Sequence, residues 1–203
     1  MERAKLSQAV KNSESGEDTP NYSRSQQTQQ KYEARIDALF NGAKANRDGV
    51  RVLDSSNMLQ LLKYSNSPVV LKEAKVIQGL SNHPFMSAKV WKSVPQWLDN
   101  PAAVFDSDTV PGALVFIAPE MVANAPVRIT VEPESNVNNV NVHLLTNSYD
   151  AHGKAPWMRW AHSGLGRYVD RKKFPSILAP SGLQLPRVEQ VMMGTRKILT
   201  EKI

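Results

Sequence analysis

One stretch constrains the fold more than any other: Pro126-Val-Arg-Ile-Thr-Val-Glu132 alternates apolar and polar residues strictly. In extended backbone this puts Val127, Ile129 and Val131 on one face, with Arg128, Thr130 and Glu132 on the other. A continuous apolar run of strand length, Ala113 to Ala118, precedes it, and Val140 to Thr146 forms a third run after it. The connectors PEMVANA and PESNVNN are short and turn-rich, so the three runs are predicted to form an antiparallel meander. Outside this region the period is helical. Ile36, Leu39 and Phe40 share a stripe, as do Val90, Trp91, Val94 and Leu98. After Asp150 a further stripe runs through Trp157, Trp160, Ala161, Gly164, Leu165 and Tyr168. N-terminal helices, then an antiparallel meander with a packed amphipathic helix, make an α+β fold.

Smaller elements fill the intervals. Val50 to Leu53 is a short extended piece, and Ser55 or Ser56 is placed to cap a helix through Met58, Leu59, Leu61 and Leu62. Pro68 to Leu71 reads as a strand, followed by helices over about Lys72 to Leu80 and Ser87 to Leu98. Pro95 is expected to disturb the last turns of the second. Lys197 to Thr200 is a candidate strand to close the sheet. Lys11 to Gln30 holds one large apolar side chain, Tyr22, too little to offset the entropy of ordering. The expected division is a disordered polar leader or linker over 1–32, with order beginning near Lys31, and an α+β domain over 33–203.

Composition excludes several chemistries. With no cysteine there are no disulfides, thiolate metal sites or thiol nucleophiles. No apolar run approaches the roughly 18 to 20 residues that span a bilayer, so no membrane partner is expected. Met1 to Val10 lacks a signal-peptide core, so a cytoplasmic location is expected, and any exit from the cell would need a route other than classical secretion. The net charge of +6 lies wholly between Asp150 and Ile203, where ten Lys and Arg face four acids. Localised positive charge attracts polyanions, and the alternative is a solvated basic tail.

The chain contains no Walker loop, Rossmann glycine fingerprint, HExxH or GxSxG motif. Its histidines, His83, His143, His152 and His162, have no partner at zinc spacing, so neither metal nor cofactor is expected. Asp106 and Asp108 could hold Mg²⁺ from an extended segment, but a turn before Pro111-Gly112 is the better reading. Asn147, Ser148 and Tyr149 end the third strand where the basic region begins. They suit orienting a phosphate, or else capping the next element. His143 reads as a residue of the exposed sheet face or as an ordinary surface histidine, and His83 as a candidate acid or base or a loop cap. Trp157 and Trp160 could stack on bases, with Trp160 favoured for the core. Arg159 should face solvent, Arg167 sits at the stripe's margin, and Arg171-Lys172-Lys173 extend the positive charge.

A set of separated motifs adds a resemblance. His83-Pro, Val94-Pro-x-x-Leu98-x-Asn-Pro101-x-x-Val104-Phe-Asp-Ser-Asp-Thr-x-Pro-Gly112-x-Leu-Val and Leu145-Thr-x-Ser-Tyr149 occur in order. Trp160, Gly164-Leu, Arg167-Tyr-Val-Asp-x-x-Lys173 and Ser181-Gly-Leu-Gln-Leu-Pro follow, with Leu-Thr-Glu near the end. This pattern resembles the phage MuF C-terminal domain over roughly residues 33–203. The resemblance implies a terminal module of phage head-morphogenesis, polyvalent or polymorphic-toxin proteins, related to compact barnase/RelE-like ribonucleases. Where that pattern leads one to expect a lysine a few residues before His83, this chain has Gln78, with Lys75 further off.

The reading that follows is a toxin or effector domain, a metal-independent endoribonuclease acting in a target bacterial cell. His83, His143, Ser148 and Tyr149 would be catalytic, and Asn147, Arg159, Arg167, Arg171, Lys172 and Lys173 would bind substrate. The partner is nucleic acid, RNA rather than DNA, with an immunity protein or a larger phage or toxin carrier as further partners. The rival is a non-catalytic virion-associated or partner-binding module that docks on protein or DNA. An ADP-ribosyltransferase would need a nicotinamide pocket that the sequence does not display.

Overall fold

In the computed structural model, which describes residues 25–150 and 156–178, the extended runs join one seven-stranded open sheet. The elements in chain order are α1 (Gln26–Phe40), β1 (Val50–Leu53), α2 (Asn57–Leu61), β2 (Val69–Leu71), α3 (Glu73–Asn82) and α4 (Ala88–Asp99). Then come β3 (Ala103–Asp106), β4 (Leu114–Val122), β5 (Ala125–Val137), β6 (Val140–Asp150), α5 (Trp157–His162), β7 (Gly166–Val169) and α6 (Lys173–Leu178). Strand order is β1-β2-β6-β5-β4-β3-β7. Every pairing is antiparallel except β2 with β6, so the architecture is α+β with a meander at its centre. Lys197 to Thr200 lies outside the described residues.

The meander is longer than its apolar runs. The expected connectors are largely strand, and the turns shrink to Ala123-Asn124 and Asn138-Asn139, all with φ between +48° and +64°. Two consecutive left-handed residues make the tight hairpin turn whose twist matches that of paired strands. Pro119 and Pro133 are tolerated inside β4 and β5 because the register shifts beside each, between Ile117 and Met121 and between Glu132 and Ser135.

Helix boundaries also follow local chemistry. α1 begins at Gln26 rather than near Lys31, because Ser25 caps it and Asp54 accepts from the Ser25 N–H and the Thr28 hydroxyl, each at 2.8 Å. Pro95 does not break α4. Proline lacks the N–H that would bond the Trp91 carbonyl, and the Tyr32 hydroxyl donates to that carbonyl instead at 2.7 Å. The stripe expected to continue as helix to Tyr168 stops at His162. Gly164 (φ +73°) donates to Ala161 C=O and Leu165 to Trp160 C=O, a two-bond helix stop that returns the chain to extended backbone as β7.

Two apolar layers sandwich the sheet. On one face Val127, Ile129, Val131, Phe116 and Leu145 meet Tyr32 and Ile36 of α1 and Trp91 and Val94 of α4. Full burial contributes roughly 1.5–3 kcal/mol per large apolar side chain. On the other face Val115, Ile117 and Phe105 meet Trp157 and Trp160 of α5 and Phe174 and Ile177 of α6. This second layer covers the β3–β4–β7 side, and a cleft lies beside it over β5 and β6.

Candidate functional site

A single irregularity in β6 decides which of its side chains reach the cleft. Thr130 pairs with Asn147 but Val131 pairs with Leu145, so Thr146 is an extra residue, a bulge. Before the bulge, odd-numbered His143 and Leu145 point to the helical core. After it the parity inverts, since Ser148 lies opposite the core residue Ile129 and Tyr149 lies opposite Arg128. Thr146, Asn147 and Tyr149 therefore face the cleft, while Ser148 turns inward.

The cleft has a volume of about 580 Å³. Arg128, Thr130 and Glu132 of β5 form its floor with the three β6 residues. Lys72 and Lys75, at the start of α3, form one wall, where β2 has ended and α3 packs along β6. The opposite wall is the β3–β4 loop from Ser107 to Val110, together with Arg159 and Trp160 of α5. Lys72, Lys75, Arg128 and Arg159 outnumber the carboxylates Asp108 and Glu132, so the field favours an anion.

Arg128 is the centre of this arrangement. Its guanidinium carbon lies 5.4 Å from the Trp157 ring centroid, 5.6 Å from Trp160 and 5.7 Å from Tyr149. Aromatic faces hold a cation with roughly 0.5–2 kcal/mol each, depending on desolvation, so this charge is positioned before any ligand arrives. His83, at the C-terminal end of α3, stacks on Tyr149 with centroids 5.5 Å apart and planes at 30°. Lys75 donates to Gln78 at 3.1 Å, so the two α3 residues at issue in the sequence pattern are in contact, with Lys75 in the cleft.

The sequence-derived candidates divide sharply. Tyr149, Asn147 and Arg159 line the cleft, and His83 reaches it through Tyr149. His143 does not lie on an exposed face: it is 0 % exposed. Its Nδ1 accepts from the Glu134 N–H at 3.2 Å and its Nε2 bonds the Ser65 carbonyl at 2.9 Å, so the neutral ring staples the hairpin to the loop before β2. Burial holds its pKa below the usual histidine value. Ser148, 1 % exposed, also belongs to the core face. Trp157 and Trp160 are buried packing residues that cage Arg128, and their positions leave no open platform for a base.

Among the described basic residues after Asp150, Arg167 and Lys173 are held by acids outside the cleft. Arg167 Nε contacts both oxygens of Asp106 at 2.9 Å. Lys173 bonds Asp170 at 2.8 Å and also Asn100. Arg171 and Lys172 are exposed in the turn before α6, outside the cleft lining. His152 and Lys154, and the cations beyond 178, lie outside the described residues. Asp106 and Asp108 each hold an arginine, and among the described residues no three His, Asp or Glu side chains converge as metal ligands. Among those residues, too, no helix is long and apolar enough to cross a membrane.

Sequence reasoning missed Arg128, Glu132, Lys72, Lys75 and Thr146. For the first two the signal was present, because strict alternation already set Arg128, Thr130 and Glu132 on one polar face. The bulge at Thr146 and the approach of α3 had no such signature.

The model of the family described as Phage MuF-C-terminal domain matches residues 75–176, half of the chain. The chain belongs to that family. It is thus a phage-derived module, and its MuF C-terminal region runs from the cleft residue Lys75 in α3 into α6. Within it lie Arg128, Glu132, Asn147, Tyr149 and Arg159, whereas Lys72 and the elements α1 to β2 precede it. No curated protein and no solved structure matches the chain.

Proposed function

We propose that the cleft binds single-stranded RNA and cleaves it without a resident metal, as the toxin activity of a phage-derived effector in a bacterial cell. The observation that carries this reading is the convergence of Lys72, Lys75 and a caged Arg128 on one cleft with Glu132 and Tyr149. RNA supplies its own nucleophile, so no serine or cysteine is required. Glu132 takes the proton of the 2′-hydroxyl as the 2′-oxygen bonds to phosphorus. Arg128 and Lys75 neutralise the non-bridging oxygens, and Thr130 and Asn147 orient them. The bond to the 5′-oxygen breaks, Tyr149 donates the proton to that oxygen, and the products are a 2′,3′-cyclic phosphate and a 5′-hydroxyl. His83, stacked on Tyr149, holds the phenol in place.

Induced expression in a bacterium tests this, comparing wild type with Glu132→Gln and Tyr149→Phe. Growth arrest with fragmented total RNA, abolished in both variants, is the expected outcome. Healthy cells with intact RNA, from protein shown to be folded, contradict it. A second reading, a non-catalytic docking module, draws on Ile77, Leu80 and Phe85, apolar side chains exposed on and just after α3. It predicts partner capture without turnover.

A further inference from the structure

The β3–β4 loop carries a carboxylate into a cleft whose field otherwise favours anions. The loop's shape does not depend on that carboxylate. Ser107 Oγ accepts from the N–H groups of Thr109 and Val110 at 3.3 and 3.0 Å. Ser107 N–H donates to the Ala113 carbonyl at 2.8 Å. Ala113 N–H closes the Pro111-Gly112 turn on Val110 C=O at 3.1 Å, with Gly112 at φ +78°. The turn expected from the sequence is thus built by Ser107, and Asp108 is released from it. Asp108 instead accepts from Arg159 Nη2 within the same wall of the cleft.

The pair has the properties of a displaceable contact. The Arg159 side chain is 70 % exposed and that of Asp108 25 % exposed. Such an exposed pair contributes little in water. The guanidinium fork accepts a phosphate in the geometry in which it accepts a carboxylate. Asp106 is already engaged, with both of its oxygens in contact with Arg167 Nε. Arg159 is thereby kept at the cleft with an internal anion in the place of an external one.

We infer that Arg159 forms a phosphate subsite of the cleft and that Asp108 is its built-in stand-in for a nucleic-acid phosphate, displaced when a strand enters. This rests on the reading of the cleft as a nucleic-acid site, but not on cleavage. The test uses the full chain and a fluorescein-labelled hexamer of 2′-O-methyl ribonucleotides, which cannot be cleaved, with affinity read by anisotropy at fixed salt. Asp108→Asn is expected to tighten binding about threefold to tenfold in the wild-type background. In the Arg159→Ala background, and in Arg159→Gln should the alanine variant melt early, the same change should have almost no effect. Equal tightening in both backgrounds shows a general field effect and overturns the subsite, as does no tightening at all. If neither wild type nor Asp108→Asn binds the hexamer, the subsite and the nucleic-acid reading fall together. If the coupling is found but natural RNA stays uncut, the subsite stands and only the nuclease reading fails.

Discussion

The two faces of β5 and β6 are built from the same strands for opposite purposes. Under α1 and α4, the face formed by Val127, Ile129, Val131 and Leu145 is fully buried, and even His143 there has both ring nitrogens bonded to backbone. Across the strands, Arg128, Thr130, Glu132, Asn147 and Tyr149 are partly open and face a cleft. Stability therefore resides on the first face and chemistry on the second. A change on one should leave the other nearly untouched.

The bulge at Thr146 is the hinge of this division, and its removal is the harshest way to break it. Inserting an alanine between Thr130 and Val131, opposite Thr146, restores simple alternation, driving Arg128, Asn147 and Tyr149 into the core and Ile129 and Ser148 outward. The expected cost exceeds about 4–5 kcal/mol, so circular dichroism should find the variant unfolded. A folded, cooperative variant would show that the bulge does not divide the faces. Phe116→Ala on the core face should cost about 3–5 kcal/mol in denaturant melts. Glu132→Gln on the cleft face should lower RNA cleavage about 10²- to 10⁴-fold while shifting the melting temperature by no more than a few degrees.

Smaller effects sharpen the picture of the core. Tyr32→Phe strands the Trp91 carbonyl that Pro95 cannot serve, at a cost of about 1–3 kcal/mol with cleavage unchanged. Asp99, at the end of α4, caps α2 through the N–H groups of Asn57 and Met58 and accepts from Ser56 Oγ. Burial raises its pKa to about 6 from the model-peptide value of 3.8, so the folded state binds the proton more tightly. Its contribution is complete below the unfolded value and is lost as pH rises through about 6. Asp99→Asn should therefore flatten the stability profile across that window, by on the order of 1 kcal/mol in melts at stepped pH.

Much of the fold was legible because period and turn chemistry are local. The alternation from Pro126 to Glu132 gave the meander, and Ser56 and Ser87 marked helix starts. Tyr149, Asn147 and Arg159 were found at the cleft, with His83 stacked on Tyr149. His143 and Ser148 were misplaced for one reason: a one-residue bulge is invisible to a period-2 count, yet it decides every side chain's face. Charge counts do not show that Arg167 and Lys173 are held by Asp106 and Asp170, pairings that only the fold creates. Lys72 and Lys75 reach the site only through the parallel pairing of β2 with β6, a long-range contact.

The most direct test of the central claim is end-group analysis of RNA incubated with purified protein and a chelator, wild type beside Glu132→Gln. Fragments ending in 2′,3′-cyclic phosphate from wild type alone are predicted. Intact RNA from a folded wild-type protein, or equal cleavage by both proteins, would contradict the account.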